Sequence, residues 1–298
     1  MIHAPAYPDE NQKQFVDSLH LSAGGPAANA ACLLARWGVD TQLMAQLGTD
    51  HFSEIILADL QAAGVETGSI QRYDGPCNCA VVISSNQSGS RTVLSRNFSN
   101  SVPPGPLPPA GDADAILVDG HQYVWSLELL RRHRGISVLD AGSFRHETAS
   151  LLTEVSDPVT SAPFYHSLKE QASEDMPHPL TIPDFMVVTD GENPVIVRGK
   201  GLERAIPVFD VAATDTLAAG DCFHGAYLFG RLLDLTVEEC VTLAAAAAAV
   251  CVTRTGGNKS LPSLQETVLF LETSRTVEFA AMQSQKLVDK IWSTIMKW

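Results

Sequence analysis

The chain has 298 residues, enough for one large or two small domains with a substantial core. Hydrophobic residues make up 45% and charged residues 18%, a balance that excludes a disordered chain. Twenty Lys and Arg against 34 Asp and Glu give a net charge of −14, which argues against a nucleic-acid partner.

In chain order, Met1–Glu10 carries neither the basic nor the apolar region of a signal peptide. Gln14–Leu21 alternates in part and reads as a strand, and Gly24–Asn29 reads as a turn into a helix. Thr41–Leu47 reads as a strand and Phe52–Ala63 as a helix. Ala80–Ser84 and Arg91–Ser95 flank Asn86-Gln87-Ser88-Gly89, a hairpin signal that, with Gln14–Leu21, points to a small antiparallel β unit. Ser101–Ala110 is a proline-rich connector. Strands at Ala115–Val118, Ser137–Asp140 and Phe185–Thr189 then alternate with helices at Ser126–His133 and His146–Val155, and Ser173–Pro183 is a polar loop. That alternation argues for an α/β fold with a mostly parallel sheet.

Ala219–Leu232 and Val237–Thr253 are the strongest helices, the second almost all alanine and valine at Leu243–Val250. The longest uncharged apolar run, about Val241–Val252, is short of a membrane span. The tail Glu278–Trp298 has apolar residues at roughly helical spacing, for packing on its own domain or on a second copy. The six cysteines include no C-x-x-C pair, so neither a zinc site nor a disulfide framework is expected and a reducing cytoplasm is the default.

Two motifs carry chemistry. In Gly24-Gly25-Pro26-Ala27-Ala28-Asn29 the glycines let a ligand approach the backbone, and Asn29 offers a donor and an acceptor to a polyol hydroxyl. Taken alone, this is equally a tight turn with a solvated asparagine. In Asp215-Thr216-Leu217-Ala218-Ala219-Gly220-Asp221, small residues open a strong helix. Its free N–H groups and positive end favour an anion, and Ala218, Ala219 and Gly220 leave room for a phosphoryl group. Asp221, in the first turn, is suited to take a proton from an attacking hydroxyl, or else simply complements the helix dipole. His121 follows the strand end at Gly120, where ligands bind in open α/β sheets. His224 reads as a packing residue facing a neighbouring helix, and Asp140 as a sugar contact or a turn cap.

The two motifs resemble the signatures of the PfkB/ribokinase carbohydrate kinases, as GGPAANAACLLARWG (Gly24–Gly38) and DTLAAGDCFHGAYLFG (Asp215–Gly230). Gln46–Asp50, Val187–Gly191, Val252–Gly257 and Ser260-Leu261-Pro262 resemble further family segments in register, so the likeness spans about Gln14–Leu271. The resemblance implies a three-layer α/β/α ribokinase-like domain over residues 1–272, a β lid from about 12–23 and 68–97, and a helical extension at 273–298. It implies ATP-dependent phosphorylation of a sugar primary hydroxyl, with Asp221 as base and Ala218, Ala219 and Gly220 at the anion hole. Gly25 and Asn29 would hold the sugar hydroxyls, with His121 a substrate contact by its position after the strand end alone, and Thr189, Gly191, Thr253, Gly256 and Gly257 would line the nucleotide site. Mg²⁺ would travel with ATP, Asp215 and Ser260 would hold a monovalent cation such as K⁺, and a homodimer is expected. The GGPAAN form looks closest to the sulfofructose kinases.

Departures from the pattern are expected to matter. The family's opening strand and its sugar-gripping aspartate have no counterpart before Gln14, which would leave the central sheet a strand short and the sugar site open on one side. The N-x-x-E segment is replaced near Thr160–Tyr165, Pro194 replaces a second glycine and Ala245 a polar residue near the base. A nucleoside kinase on the same fold, or a non-catalytic sugar- or nucleotide-binding homologue, are the alternative readings.

Overall fold

The computed structural model describes residues 1–296 apart from 86, 88–90, 98–104, 109–111, 173–179, 200 and 275–277, and only the backbone of 278–284. The expected turn at Asn86–Gly89, much of the Ser101–Ala110 connector and most of the Ser173–Pro183 loop therefore lie outside the described residues.

The chain opens in strand where the sequence suggested none. Strand β1 (Ile2–Ala4) pairs antiparallel with β2 (Ser18–Leu19) and parallel with β5 (Cys79–Ser85), which pairs antiparallel with β6 (Arg91–Arg96). This four-stranded lid sheet corrects the expected lid ranges, which began at about residue 12. Residues 68–78 also differ: β4 (Ile70–Arg72) pairs with β3 (Ala45–Leu47) in a separate two-stranded parallel sheet. Between these pieces lie helices α1 (Pro26–Arg36) and α2 (His51–Ala62).

The central sheet has six strands. β7 (Ala115–Val118), β8 (Ile136–Ala141), β9 (Asp157–Ser161) and β10 (Met186–Asp190) are parallel, and β11 (Asn193–Gly199) and β12 (Leu202–Ile206) extend it antiparallel, in the order β12-β11-β10-β9-β8-β7. The strands are apolar on both faces because helices cover both. Val138, Val159 and Val187 face the larger core with α6 (Ala219–Leu232) and α7 (Val237–Val252). Leu139, Met186 and Val188 face a second core with Phe164 and Leu168 of α5 (Ala162–Gln171), on the side that also holds α3 (Tyr123–Arg132) and α4 (His146–Ser150). The expected helix through Val155 ends at Ser150, and β9, β11 and β12 were not legible as strands. β7 ends the sheet, and its outer edge borders a cavity that β3 lines as well.

Two glycines let α6 pack closely on both sides. A side chain at Gly225 would meet Ala30 and Leu33 of α1 at 3.1–3.3 Å, and one at Gly230 would meet Cys240 of α7 at 2.9–3.3 Å. The alanine run on α7 serves the same contact, with Ala244, Ala246 and Ala247 fully buried. After α8 (Leu264–Thr273), α9 (Glu278–Ile295) folds back, and its Leu287, Val288 and Ile291 enter the main core. Adding bulk at the tightest of these contacts has a direct consequence. Gly230→Val should lower unfolding free energy by about 1–3 kcal/mol, read from urea denaturation midpoints at unchanged slope.

Candidate active site

The parallel strands all end on one edge, and the polar groups gather there. Gly25 caps α1 at φ 105°, a conformation glycine adopts without a Cβ penalty, and Pro26 follows at the first helical position. One turn on, the buried Asn29 donates from Nδ2 to Asp221 Oδ2 at 2.6 Å. Asn258 Nδ2 donates in turn to Asn29 Oδ1 at 3.3 Å, and Arg36 holds Asn258 by its carbonyl (3.0 Å) and its side-chain oxygen (2.9 Å). Asn258 and Arg36 were not singled out from sequence. Their only signal was proximity to the two motifs, Arg36 seven residues past Asn29 and Asn258 directly after Gly257.

The α6 motif folds as its small residues require. Ala218 precedes the helix in the left-handed region at φ 64°, a turn that costs a non-glycine residue on the order of 1 kcal/mol. Ala219 N–H donates to Thr216 O at 3.3 Å, and Cys222 N–H to Ala218 O at 2.8 Å. Among the described residues, the N–H groups of Ala218, Gly220 and Asp221 have no partner within the protein. A side chain at Gly220 would meet nothing within 4 Å, so the space before these amides is open. Burial raises the Asp221 carboxyl above the ordinary carboxylate range, while the Asn29 hydrogen bond and nearby His224 pull it back. A carboxyl of raised affinity for protons, in the same first turn as free amides, can take a hydroxyl proton while the amides hold an anion.

Across the cavity from α6, the loop after β7 contributes a residue the sequence reading passed over. Asp119 accepts from Ala27 N–H at the start of α1 (3.2 Å) and from His121 N–H (2.9 Å), so it ties the start of α1 to the loop after β7. It ends the run Ala115-Ile116-Leu117-Val118-Asp119, the ordinary place for a ligand-facing group in a parallel sheet. Gly25, Asn29, His121, Asp119, Asp221 and Gly257 share one cavity of about 1610 Å³ that runs under the lid and along the open edge of β7.

The residues expected at the nucleotide form a separate group. Gly256 N–H donates to Asp215 Oδ2 at 3.3 Å and Leu217 N–H to Oδ1 at 2.9 Å, so Asp215 ties the Thr253–Gly257 loop to the α6 motif. Gly256 and Gly257 both have positive φ, and Thr253 caps α7 through Val250 O. Thr189, at the end of β10, donates to Thr160 O, and Gly191 is exposed at φ 57°. Thr189, Gly191, Thr253 and Gly256 do not line the large cavity. Asp215 is buried with no Lys or Arg partner among the described residues, and the buried Ser260 hydroxyl donates to Gly257 O at 2.6 Å. His224 departs from its expected role. Its ring faces β8 and β9 of the sheet, not a neighbouring helix, and Asp140 is buried beside it instead of reaching the cavity.

Arg254 anchors the same loop from outside by donating to both oxygens of Glu266 (2.7 and 3.3 Å), which caps α8 with Ser263. The Arg254 bond and the cap hold the Glu266 carboxyl down at about 2. A depressed carboxylate contributes stability above its unfolded value near 4.5 and loses it as pH falls towards 2. Glu266→Gln should therefore unfold over that acid range with less pH dependence than the parent. The difference should stay under about 1 kcal/mol because the pair is partly exposed; acid titrations followed by circular dichroism read it.

The chain resembles known proteins over most of its length. The family model described as pfkB family carbohydrate kinase matches residues 1–131 and 166–264. A ribokinase of Haemophilus influenzae is 25% identical over 91% of this chain and 94% of its own, and a ribokinase of Staphylococcus aureus 25% identical over 87% and 88%. Among solved structures, a protein from Agrobacterium tumefaciens described as a putative ribokinase aligns with TM-score 0.80 at 23% identity over 96% of this chain and 94% of its own. These relatives give no support to the narrower likeness to sulfofructose kinases.

Proposed function

Because the chain belongs to the pfkB family of carbohydrate kinases, a family of ATP-dependent phosphotransferases, we propose that it phosphorylates a sugar primary hydroxyl with Asp221 as the base. One observation carries the reading. The Asp221 carboxylate is held by Asn29 at 2.6 Å, beside unpartnered N–H groups at the start of α6, inside the cavity shared with Gly25, His121 and Asp119.

In this reading the acceptor lies between the lid and the edge formed by Gly25, Asn29, Asp119 and His121. Asp221 takes the hydroxyl proton as the oxygen attacks the γ-phosphorus in line. The amides of Ala218, Gly220 and Asp221 face the oxygens of the transferring group and hold its charge. Thr189, Gly191 and the Thr253–Gly257 loop receive the nucleotide. No group of three or more His, Cys, Asp or Glu side chains among the described residues forms a metal cage, so Mg²⁺ is assigned to the ATP phosphates, whose charge it offsets when bound. Asp215, a buried carboxylate without a Lys or Arg partner among the described residues, and Ser260 would hold a monovalent cation.

The reading extends to assembly and compartment. Register places Leu19, Ile2, Ile83, Val81 and Leu94 on one face of the lid, opposite the face whose Val82 and Val93 line the cavity. Leu19 is 65% and Leu94 59% exposed, an apolar face suited to a second copy in a homodimer. All six cysteines are free thiols, which suits a reducing cytoplasm.

The test is ADP release with ATP, Mg²⁺ and a panel of ketoses, pentoses, sugar phosphates and nucleosides. Turnover with sugars is expected, and nucleosides as sole acceptors would move the assignment to a nucleoside kinase. Asp221→Asn should lower kcat on the best acceptor by about 100-fold or more while nucleotide affinity holds. An unchanged rate would remove Asp221 as base, and ligand binding without turnover by the parent would identify a non-catalytic homologue.

A further inference from the structure

Behind the anion cradle, on the side away from the cavity, a buried histidine touches the peptide that forms it. His224 is 3% exposed. Its Nδ1 lies 2.6 Å from the carbonyl oxygen of Gly220 and 3.2 Å from Asp140 Oδ2, and its Nε2 lies 3.3 Å from the carbonyl oxygen of Val159. Carbonyl oxygens only accept. A neutral ring has one lone pair, and here either nitrogen would aim it at an oxygen. Only a ring protonated on both nitrogens avoids that clash. Asp140, buried, with no Lys or Arg partner among the described residues and with Oδ2 outside any hydrogen bond, is the matching carboxylate: burial pushes it up to about 7, and a charge on His224 draws it back down.

From this we infer that His224 is a positioning residue for phosphoryl transfer, an imidazolium paired with Asp140 that polarises the Gly220–Asp221 peptide from behind. The carbonyl of that peptide is the one His224 grips, and its N–H is the Asp221 amide left free at the mouth of α6. A positive charge 2.6 Å from the oxygen draws electron density through the peptide and makes the N–H a stronger donor to a developing anion. The same charge favours the ionised form of Asp221, opposing burial and the neighbouring Asp119 carboxylate. His224 touches neither acceptor nor nucleotide, so its contribution appears at the transition state and not in ground-state binding.

The inference rests on the kinase reading, but its first test needs no turnover. Long-range proton–nitrogen NMR of the ¹⁵N-labelled full chain, without ligand at neutral pH, should show both His224 ring nitrogens in the protonated range. The resonance is assigned by its loss in His224→Asn. A single neutral tautomer would overturn the proposal.

The second test separates positioning from packing. In His224→Asn the amide nitrogen can replace Nδ1 towards Gly220, without the charge; in His224→Gln it can replace Nε2 towards Val159. We expect kcat to fall about tenfold in His224→Asn and about 100-fold in His224→Gln. KM for acceptor and ATP should stay within about twofold of the parent, and affinity for ADP with aluminium fluoride should fall in step with kcat. Adding Asp140→Asn to His224→Asn removes the uncompensated carboxylate, so thermal stability should recover while kcat does not. Recovery of both together, or KM rising with kcat unchanged, would reduce His224 to a structural role. If the parent itself shows no turnover, the kinase reading fails while the NMR result still decides the charge state of the pair.

Discussion

A single hydrogen bond between two helices organises this site. Asn29 on α1 meets Asp221 on α6 at 2.6 Å, and everything that brings those residues together is dictated by small side chains. Gly225 lets α1 and α6 approach within contact of Ala30 and Leu33, and Gly230 does the same for α6 and α7. Gly25 turns the chain into α1 so that Asn29 points across that seam. Arg36 and Asn258 then fix the asparagine's orientation from behind, so its amide nitrogen and not its oxygen faces the carboxylate. With the asparagine turned the other way, two acceptors would face each other and Asp221 would lose the bond that helps keep it ionised.

The helices that carry this seam were the most legible part of the sequence. Ala219–Leu232 was read with both ends as observed, and Val237–Thr253 differs by one residue, because long periodic runs with small or capped ends leave little choice. The β7 strand and the hairpin β5–β6 were equally plain. What escaped notice is short or polar. β1 is three residues long and gains its strand identity from β5, some eighty residues away, which no local pattern announces. β9 opens with Asp157 and Pro158, an unlikely strand start by composition that is imposed by pairing on both sides.

The site divides in the same way. Gly25 and Gly220 stood out only as parts of two motifs met in order, since a glycine before a helix is commonly no more than a turn. Residues whose role is set by a distant partner did not stand out. Asp119 looks like an ordinary strand end until α1 is seen to offer it an N–H, and Asn258 looks like a loop asparagine until Arg36 is seen beneath it. His224 was misread for a related reason: helical spacing gives the face a residue occupies only relative to its own helix, and the sheet lies where a helix was expected. The outer edge of β7 ends the central sheet, and the large cavity runs along it.

A cradle made of peptide groups has a bearing on how nucleotide reaches an acidic protein. At a net charge of −14 the surface repels a polyphosphate at long range, whereas aligned peptide dipoles act only over the last few ångströms. Dissolved salt screens the first effect, since charges farther apart than roughly 10 Å at 0.1 M scarcely feel each other, and leaves the second nearly untouched. If the proposed cradle holds the phosphates, moderate ionic strength eases the encounter without loosening the grip, the reverse of what a lysine-lined phosphate site would show.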